Sequence, residues 1–504
     1  MSRKLSLQRS PARPSLPGMS TLKKFLIALG LLVIAIGAFL VWAIRGPAGQ
    51  YTTDETSGPH PKMAEPSPQT IPGVGIAKPI GWQAGEAPVA AQGLVVTRFA
   101  DGLDHPRTMT VLPNGDVLTA ETNAPAGDHG GGGLTGLVAG FLFSQAGAGE
   151  PSPNKIVVLR DTGSGKASQR FVMENPALDS PFGLVWREGR LYVANHNGVV
   201  SWPFQPGQTT LPGKPEKLMD LPPAGMHWAR NLALSPDGQR LYISVGSGSN
   251  IAENGIDAEA QRAAIFEYDF DKHRVRQFAG GMRNPNGMDF NPYTGELWAV
   301  VNERDMLGPD LVPDYLTNVP LGAQYGWPWV YWKKYIDWRV NEPMPEYLME
   351  YVRKPEYGLG AHVAPLGLAF ARGGNTMGDR FAGGAFIARH GSWNRRPLAG
   401  YDVVFVRFDS HGNVLPAPPA PVLTGFLTKD NKAHGRPTWV AFAKDGALLV
   451  SDDVGGVIWR VTAPGAKPAP AITQIADTPL PPKPPMGKIR IQENPDSVLN
   501  KPQP

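Results

Sequence analysis

The sequence predicts an all-β protein, a six-bladed β-propeller, carried on one N-terminal transmembrane helix. Three observations lead there. A strand–turn–strand unit recurs along most of the 504 residues. Gly (59) and Pro (52) are abundant enough to make many turns, yet the 42% hydrophobic and 18% charged residues supply apolar surface for a large core. That balance excludes a disordered chain and a long coiled coil. One uncharged apolar run stands near the N-terminus.

That run, FLIALGLLVIAIGAFLVWAI from Phe25 to Ile44, is about 30 Å long as a helix, the thickness of a bilayer core. Arg3, Lys4, Arg9, Arg13, Lys23 and Lys24 precede it, Arg45 follows, and no acidic residue occurs before it. The positive-inside rule therefore keeps residues 1–24 in the cytoplasm as a basic tail and sends the remainder across. A cleaved signal peptide usually has a shorter apolar part, roughly 7–15 residues, so residues 25–44 read as an uncleaved anchor. These seven cations exceed the formal net charge of +4, which leaves the exported part net acidic and gives no reason to expect a nucleic-acid partner. Residues 45–91 are rich in Pro, Gly, Ala and Ser and lack an apolar period, as a mobile linker would, and the Pro-rich tail 463–504 reads the same way.

The propeller is expected over residues 92–462. Its six copies are TMTVLPNGDVLTAE (108–121), FGLVWREGRLYVAN (182–195), NLALSPDGQRLYISVG (231–246), GMDFNPYTGELWAVVNE (287–303), a looser LGLAFARGGNTMGDRFAGGAFIARHG (366–391) and WVAFAKDGALLVSDD (439–453). Each joins two apolar strands by a turn pair such as Asn-Gly or Asp-Gly, and repetition of a hairpin without a helical period is the mark of a propeller. A seventh, divergent blade and a pair of β-sandwiches are the alternatives; a sandwich does not explain why the hairpins resemble one another. At roughly 60 residues per unit, against 40–50 for a minimal blade, the surplus must sit in loops. Two stand out. Residues 122–155 surround LTGLVAGFLF (134–143), either a short helix touching the membrane, a lid or a packed surface insertion, and residues 305–360 are dense in aromatic side chains. The equivalent strand ends carry Glu121, Asn123, Asn195, Asn302, Glu303, Arg389, His390, Asp452 and Asp453, polar groups that a propeller would gather at one channel mouth, where a site is expected.

Cysteine is absent, which removes disulfides, thiolate metal sites and cysteine nucleophiles together. No Walker lysine loop, HExxH or strand-to-helix GxSxG occurs, so hydrolysis by those routes is not indicated. The remaining candidates stand in loops just ahead of the repeated strands: His227 with Arg230 and Asn231, then Arg283-Asn284-Pro285, then Arg436. Singly, such residues are usually structural. Basic groups at equivalent positions of several blades converge on the channel, and convergence suggests an anionic ligand.

In FAGGMRNPNGMDFNP (278–292), VVNERDMLGPDLVPDYL (300–316), GAQYGWPW (322–329), GAHVAPLGLAF (360–370), RHGSWNR (389–395), GRPTWVAF (435–442) and SDDVGGVIWRV (451–461), the chain resembles the pyrroloquinoline quinone (PQQ)-dependent sugar dehydrogenases. The resemblance is closest to their membrane-associated L-sorbosone dehydrogenase-like branch, and it covers essentially the whole propeller. It implies a six-bladed propeller with His227 as the general base, Arg283 and Asn284 against the quinone, Arg436 on a cofactor carboxylate, and Gly308 and Pro309 offering carbonyls to a Ca²⁺ ion. Arg389 or His390 falls where soluble glucose dehydrogenases use a Lys, and Arg230 stands beside the base. The implied reaction passes hydride from a sugar or sugar-derived aldehyde or alcohol to PQQ, and electrons onward to a respiratory quinone or cytochrome. The implied location is the bacterial inner membrane, with the propeller in the periplasm. Arginines neutralise the carboxylates of such a cofactor, a hard cation polarises its carbonyl, and a neutral imidazole accepts the hydroxyl proton. Met226 replaces the Asp that precedes the base in glucose-oxidising relatives, and a Gln of the second blade gives way within Ser180-Pro181-Phe182, so an aldose-like aldehyde or another polyol is as well indicated as glucose. Two other readings remain: a calcium-dependent lactonase using Asn195, Asn302, Glu303 and Asp453, and a non-catalytic binding propeller.

Overall fold

The computed structural model describes residues 20–69, 73–125 and 150–475. Six antiparallel sheets follow one another along the chain, which gives six blades rather than seven. Their innermost strands are Pro106–Val111, Leu184–Arg187, Arg230–Leu234, Asn284–Phe290, Pro365–Phe370 and Pro437–Phe442, and consecutive ones lie side by side in a ring. Each predicted hairpin is the first and second strand of a blade, as in Arg240–Val245 against Arg230–Leu234 or Leu448–Asp452 against Pro437–Phe442.

The apolar runs are explained by where the blades bury them. The principal cores lie between consecutive blades, so a strand in the middle of a blade has no solvent face and sends alternate residues into two cores, while outer strands such as Ala167–Glu174 remain largely exposed. Ala299 and Val301 pack toward the third blade, while Trp298 and Val300 pack toward the fifth. Ile156 and Val158 likewise face the second blade, and Val157 and Leu159 face the sixth.

Close approach of the inner strands explains two glycines. A Cβ on Gly367 would stand 2.7 Å from Trp439 Cα, and one on Gly287 would overlap the Leu366 carbonyl. The ring is closed by strands from both ends of the propeller: Val95–Ala100 pairs with Val457–Thr462 as the outer strand of the last blade.

The segment ahead of the propeller differs from the mobile linker that its composition suggests. Ser57–Gly58 adds to the fourth blade beside Tyr357–Ala361, Val89–Ala90 adds to the fifth beside Ala420–Thr424, and Lys78–Pro79 pairs with Lys432–Ala433. Backbone hydrogen bonds to distant strands hold this strap, and composition does not encode them. Residues 463–475 also lie against the propeller, through Ala469 with Asn375 and Ile475 with Tyr293. The rest of the predicted tail and the 134–143 run lie outside the described residues, as does the N-terminal tail through residue 19.

Over the predicted anchor the chain forms a helix, Thr21–Arg45, with Leu22 to Ile34 exposing most of their large apolar side chains. Among the described residues no helix is long and apolar enough to cross a membrane, the side chains of residues 36 and 38–45 standing outside them.

Candidate functional site

The six inner strands begin in register at one mouth of the channel. Pro occupies the second position of this register in five blades, at Pro106, Pro181, Pro285, Pro365 and Pro437, with Ala229 in the third. The side chains around it line a cavity of about 170 Å³ formed by Arg107, Phe182, Met226, His227, Trp228, Ala229, Asn284, Asn286, Ala364, Leu366 and His390. A wider opening of about 500 Å³ at the other mouth is lined largely by apolar strand positions such as Leu232, Leu234, Phe290 and Phe442, with Arg372 paired to Asp289. The chemistry is at the first mouth.

His227 is held in one tautomer. Its Nδ1 lies 2.9 Å from the Ser247 carbonyl oxygen, which can only accept, so Nδ1 carries the hydrogen and Nε2 keeps its lone pair. Burial, then the nearby Arg283 cation, pushes the imidazole down to about 3, so it is neutral at working pH. A Cβ on Gly246 would overlap both His227 Cβ and Asn284 Oδ1, so a glycine is what lets the base and the amide meet.

Arg283 is buried and sits at the centre of a polar cluster. Its Nη1 donates to Glu303 O at 2.7 Å and its Nη2 to Asp305 Oδ2 at 2.7 Å, with Met226 Sδ at 3.5 Å. Asn394 donates to Asp305 Oδ1 at 2.6 Å, and His362 Nδ1 lies 3.5 Å away. Burial opposes ionisation of Asp305, but Arg283 and His362 outweigh it and hold the carboxyl well below its ordinary range.

Across the cavity, Asp453 accepts from Arg107 Nη2 at 3.0 Å and from His390 Nε2 at 2.9 Å. Those two neighbours, His390 first, overcome the burial of Asp453 and keep it ionised. Burial and then Arg436 push His390 down to about 4.

The structure thus brings together His227, Arg283, Asn284 and His390 from the sequence expectation. Arg436 reaches the same loop but spends its guanidinium on backbone, Nε to His390 O at 3.0 Å and Nη2 to Gly391 O at 2.7 Å, above the Tyr401 ring. Two expected cofactor-binding residues are not brought to the cavity. Arg389 points between strands, with both Nε and Nη2 on Asp402 and Nη1 on Leu359 O, because alternation turns it away from the side His390 faces. Arg230 is fully buried and clamps its own loop, donating to His227 O at 2.6 Å and Pro222 O at 3.2 Å.

The four residues of the lactonase reading do not meet. Asn195 holds Ala177 and Asp179, Asn302 holds Pro365, and Glu303 pairs with Arg304, while Asp453 is taken by Arg107 and His390 of the cavity lining. No group of three His, Asp or Glu placed to hold a metal occurs among the described residues. Sequence reasoning missed Arg107. The signal was present, since His105-Pro106-Arg107 occupies the register of Asn284-Pro285-Asn286.

Fit to a planar, anionic quinone rests on what the cavity leaves unsatisfied. Asn284 Oδ1, Asn286 Oδ1 and Arg107 Nε are buried polar atoms without a hydrogen-bond partner, and each belongs to a residue lining the cavity. Buried polar atoms are normally paired, so three around one small cavity mark a place for a polar ligand. A calcium ion on the carbonyls of Gly308 and Pro309 does not fit. Gly308 O accepts from His362 Nε2 at 3.0 Å and Pro309 O from Arg395 Nε at 2.9 Å.

The sequence matches the TrAA12-like family over residues 154–314 and 346–464, more than half of the chain. It is 26% identical over 444 residues to the pyrroloquinoline quinone-dependent pyranose dehydrogenase of Coprinopsis cinerea, covering 75% of this chain but only 55% of that protein. The fold is similar to a calcium structure of the Trichoderma reesei Carbohydrate-Active Enzymes Family AA12 protein, with a TM-score of 0.59 and 20% identity over 75% of this chain and 97% of that one. It is also similar to the holo form of the pyranose dehydrogenase PQQ domain from Coprinopsis cinerea, with a TM-score of 0.57 and 20% identity over 77% of this chain and 100% of that one.

Proposed function

We propose, because the chain belongs to the TrAA12-like family, that it is a quinoprotein oxidoreductase acting on a sugar or sugar-derived aldehyde or alcohol, sorbosone- or aldose-like. The observation that carries this reading is His227, with its tautomer set and Nε2 unengaged, in a cavity that also holds unpartnered Asn284, Asn286 and Arg107 atoms. The Coprinopsis relative, a PQQ-dependent pyranose dehydrogenase, supports the cofactor and substrate class. When bound, PQQ supplies a two-electron acceptor for hydride.

The chain's own residues do the rest. Arg107 and Arg283 offset the negative charge of the ligand, and Asn284 and Asn286 supply the amides that orient it. His227 Nε2 accepts the proton of the hydroxyl on the carbon being oxidised, which a neutral imidazole does without first losing a proton of its own. Trp228 and Phe182, in edge contact at 5.7 Å, form an apolar wall that excludes water from one side. Met226 beside Arg283 offers a thioether where a sugar-binding carboxylate would stand, which favours a substrate with fewer hydroxyl groups to satisfy, such as an aldehyde or its hydrate. The calcium implied by the sequence resemblance is left out of this proposal, since its carbonyls are otherwise engaged.

The uncharged run of residues 25–44 with its basic flank, read from the sequence, supports a single-pass anchor in a bacterial inner membrane, the propeller in the periplasm, and electron delivery to a respiratory quinone or cytochrome. The test is reconstitution. Detergent-solubilised full-length protein incubated with PQQ and desalted should retain quinone absorbance and reduce a dye with an aldose or sugar aldehyde. Loss of the quinone on desalting, with no dye reduced by any sugar, overturns the proposal.

A further inference from the structure

One loop beside the site has every carbonyl from Asp305 to Pro309 turned onto a protein donor. Asp305 O accepts from Arg339 Nη1 at 2.9 Å and Asn250 Nδ2 at 3.1 Å. Met306 O accepts from the same Arg339 Nη1 at 2.9 Å and from Gln69 N at 3.0 Å. Leu307 O accepts from Ser67 N at 2.9 Å, and the Gly308 and Pro309 carbonyls take His362 and Arg395 as described. A run of convergent carbonyls is what a hard cation seeks, and Ca²⁺ requires about 6–8 oxygen ligands. Here the carbonyls are taken instead by guanidinium, imidazole, side-chain amide and backbone N–H donors.

These donors are built in. Arg339 is clamped by Asp337 through Nε at 2.9 Å and Nη2 at 2.7 Å, and the Asp337 carboxylate is fully buried. Arg395 pairs with buried Asp310 at 2.9 Å. Withdrawing either arginine to admit a metal would cost a buried carboxylate its closest cation, leaving Asp337 with Arg304 at 3.4 Å and Asp310 with the Gln50 and Tyr51 backbone N–H groups, which is unfavourable. His362 is also fixed, its ring held between the Gly308 carbonyl at Nε2 and Asn394 and Asp305 at Nδ1. The aromatic insertion has a role here as well, because Trp329, bonded to Glu342 O, and Trp332, bonded to Pro313 O, hold the segment that carries Arg339.

We propose that this chain assembles its quinone site without calcium, the carbonyls of residues 305–309 being occupied by N–H donors of Arg339, Arg395 and His362 that belong to the protein itself. The proposal rests on the quinoprotein reading above, and its test separates the two. Full-length protein in detergent is treated with chelator, dialysed, and titrated with calcium alone by equilibrium dialysis up to about 1 mM, the weak end of extracellular calcium sites. No saturable binding is expected; one calcium per chain would overturn the proposal whatever PQQ does. In parallel, PQQ binding is followed by quenching of tryptophan fluorescence with and without chelator. Affinities within about twofold of each other are expected, whereas a tenfold or greater weakening by chelator overturns calcium independence. Absence of PQQ binding in both conditions refutes the quinoprotein reading, and the calcium titration still decides the cage. Arg339→Met, checked for folding by its melting curve, should weaken PQQ binding through the loop that carries Asp305, whose carbonyl it holds, without rescue by calcium. Unchanged affinity in that variant would overturn the placing of Arg339 in the cage.

Discussion

Replacing His227 by Ala isolates the proton-accepting step, because the imidazole can be removed while the groups assigned to the cofactor stay paired. Arg283 keeps Asp305 and the Glu303 carbonyl, and Arg107 keeps Asp453, so the cavity retains its charges. What disappears is the Nε2 lone pair whose direction is set by the 2.9 Å bond from Nδ1 to the Ser247 carbonyl. A positioned general base contributes about 10²–10⁴ in rate, or roughly 3–5 kcal/mol at about 1.36 kcal/mol per tenfold. The variant should therefore lose at least a hundredfold in kcat, measured by dye reduction on PQQ-loaded full-length protein, while its retained quinone absorbance stays within twofold. The pH profile adds a second reading. Burial and Arg283 push the imidazole down to about 3, so the wild type should show no limb near the ordinary histidine value of about 6.5 and should lose rate only in strong acid. A variant that keeps more than a tenth of wild-type kcat, or a wild-type limb near 6.5 that vanishes on substitution, refutes the assignment of the base.

Other consequences can be measured independently. Arg283→Met should abolish quinone retention, since it removes the cation that pairs with Asp305 and touches Met226 of the cavity lining; retention at wild-type affinity would sink its role as a cofactor residue. Gly367→Ala should lower the melting temperature by an amount corresponding to about 1–3 kcal/mol, because its Cβ meets the backbone of the next blade at 2.7 Å, and an unchanged melt would show that the inner strands can separate. His227 and His390 have native values below 6.5, so the unfolded chain binds protons before the folded one does. Their contribution to stability is intact above about 6.5 and falls as pH drops toward 4; chemical denaturation from pH 8 to 4 should show that loss diminished in His390→Gln. Asp310→Ala takes away the carboxylate that receives Gln50 N, Tyr51 N and Arg395, and should open the strap to limited proteolysis between residues 46 and 69.

Six hairpins were legible because five carry a short Gly-containing turn, the fifth copy of the series joining Phe370 to Gly384 by a longer loop, and because strands buried on both faces need unbroken apolar runs. The contribution of those runs to two neighbouring cores, as at Trp298 to Val301, also explains why no hydrophobic–polar alternation marks them. His227, Arg283 and Asn284 were legible for a related reason, since their positions repeat in the register of the inner strands. Arg389 was misplaced by a single residue of phase, since the side chain before His390 faces Asp402 instead of the channel. Arg339 was invisible: it lies in an insertion with no counterpart in the other blades, and only folding carries it to the carbonyls of Asp305 and Met306. The strap was misread because Pro and Gly describe how a backbone can bend, and not whether a distant strand edge will capture it.

The pairing of Val95–Ala100 with Val457–Thr462 also sets a condition on biosynthesis. The first of these strands leaves the ribosome some hundreds of residues before its partner exists, and closing so long a loop gains nothing until the intervening blades are in place. Until then the chain is an open arc with an unsatisfied strand edge at either end, a form that proteases and chaperones can recognise. Arrival of the last strand removes both edges at once. A chain stopped short of residue 457 would consequently be not a five-bladed version of the protein but an arc that never closes, so that ring closure is itself a test of whether the polypeptide was finished.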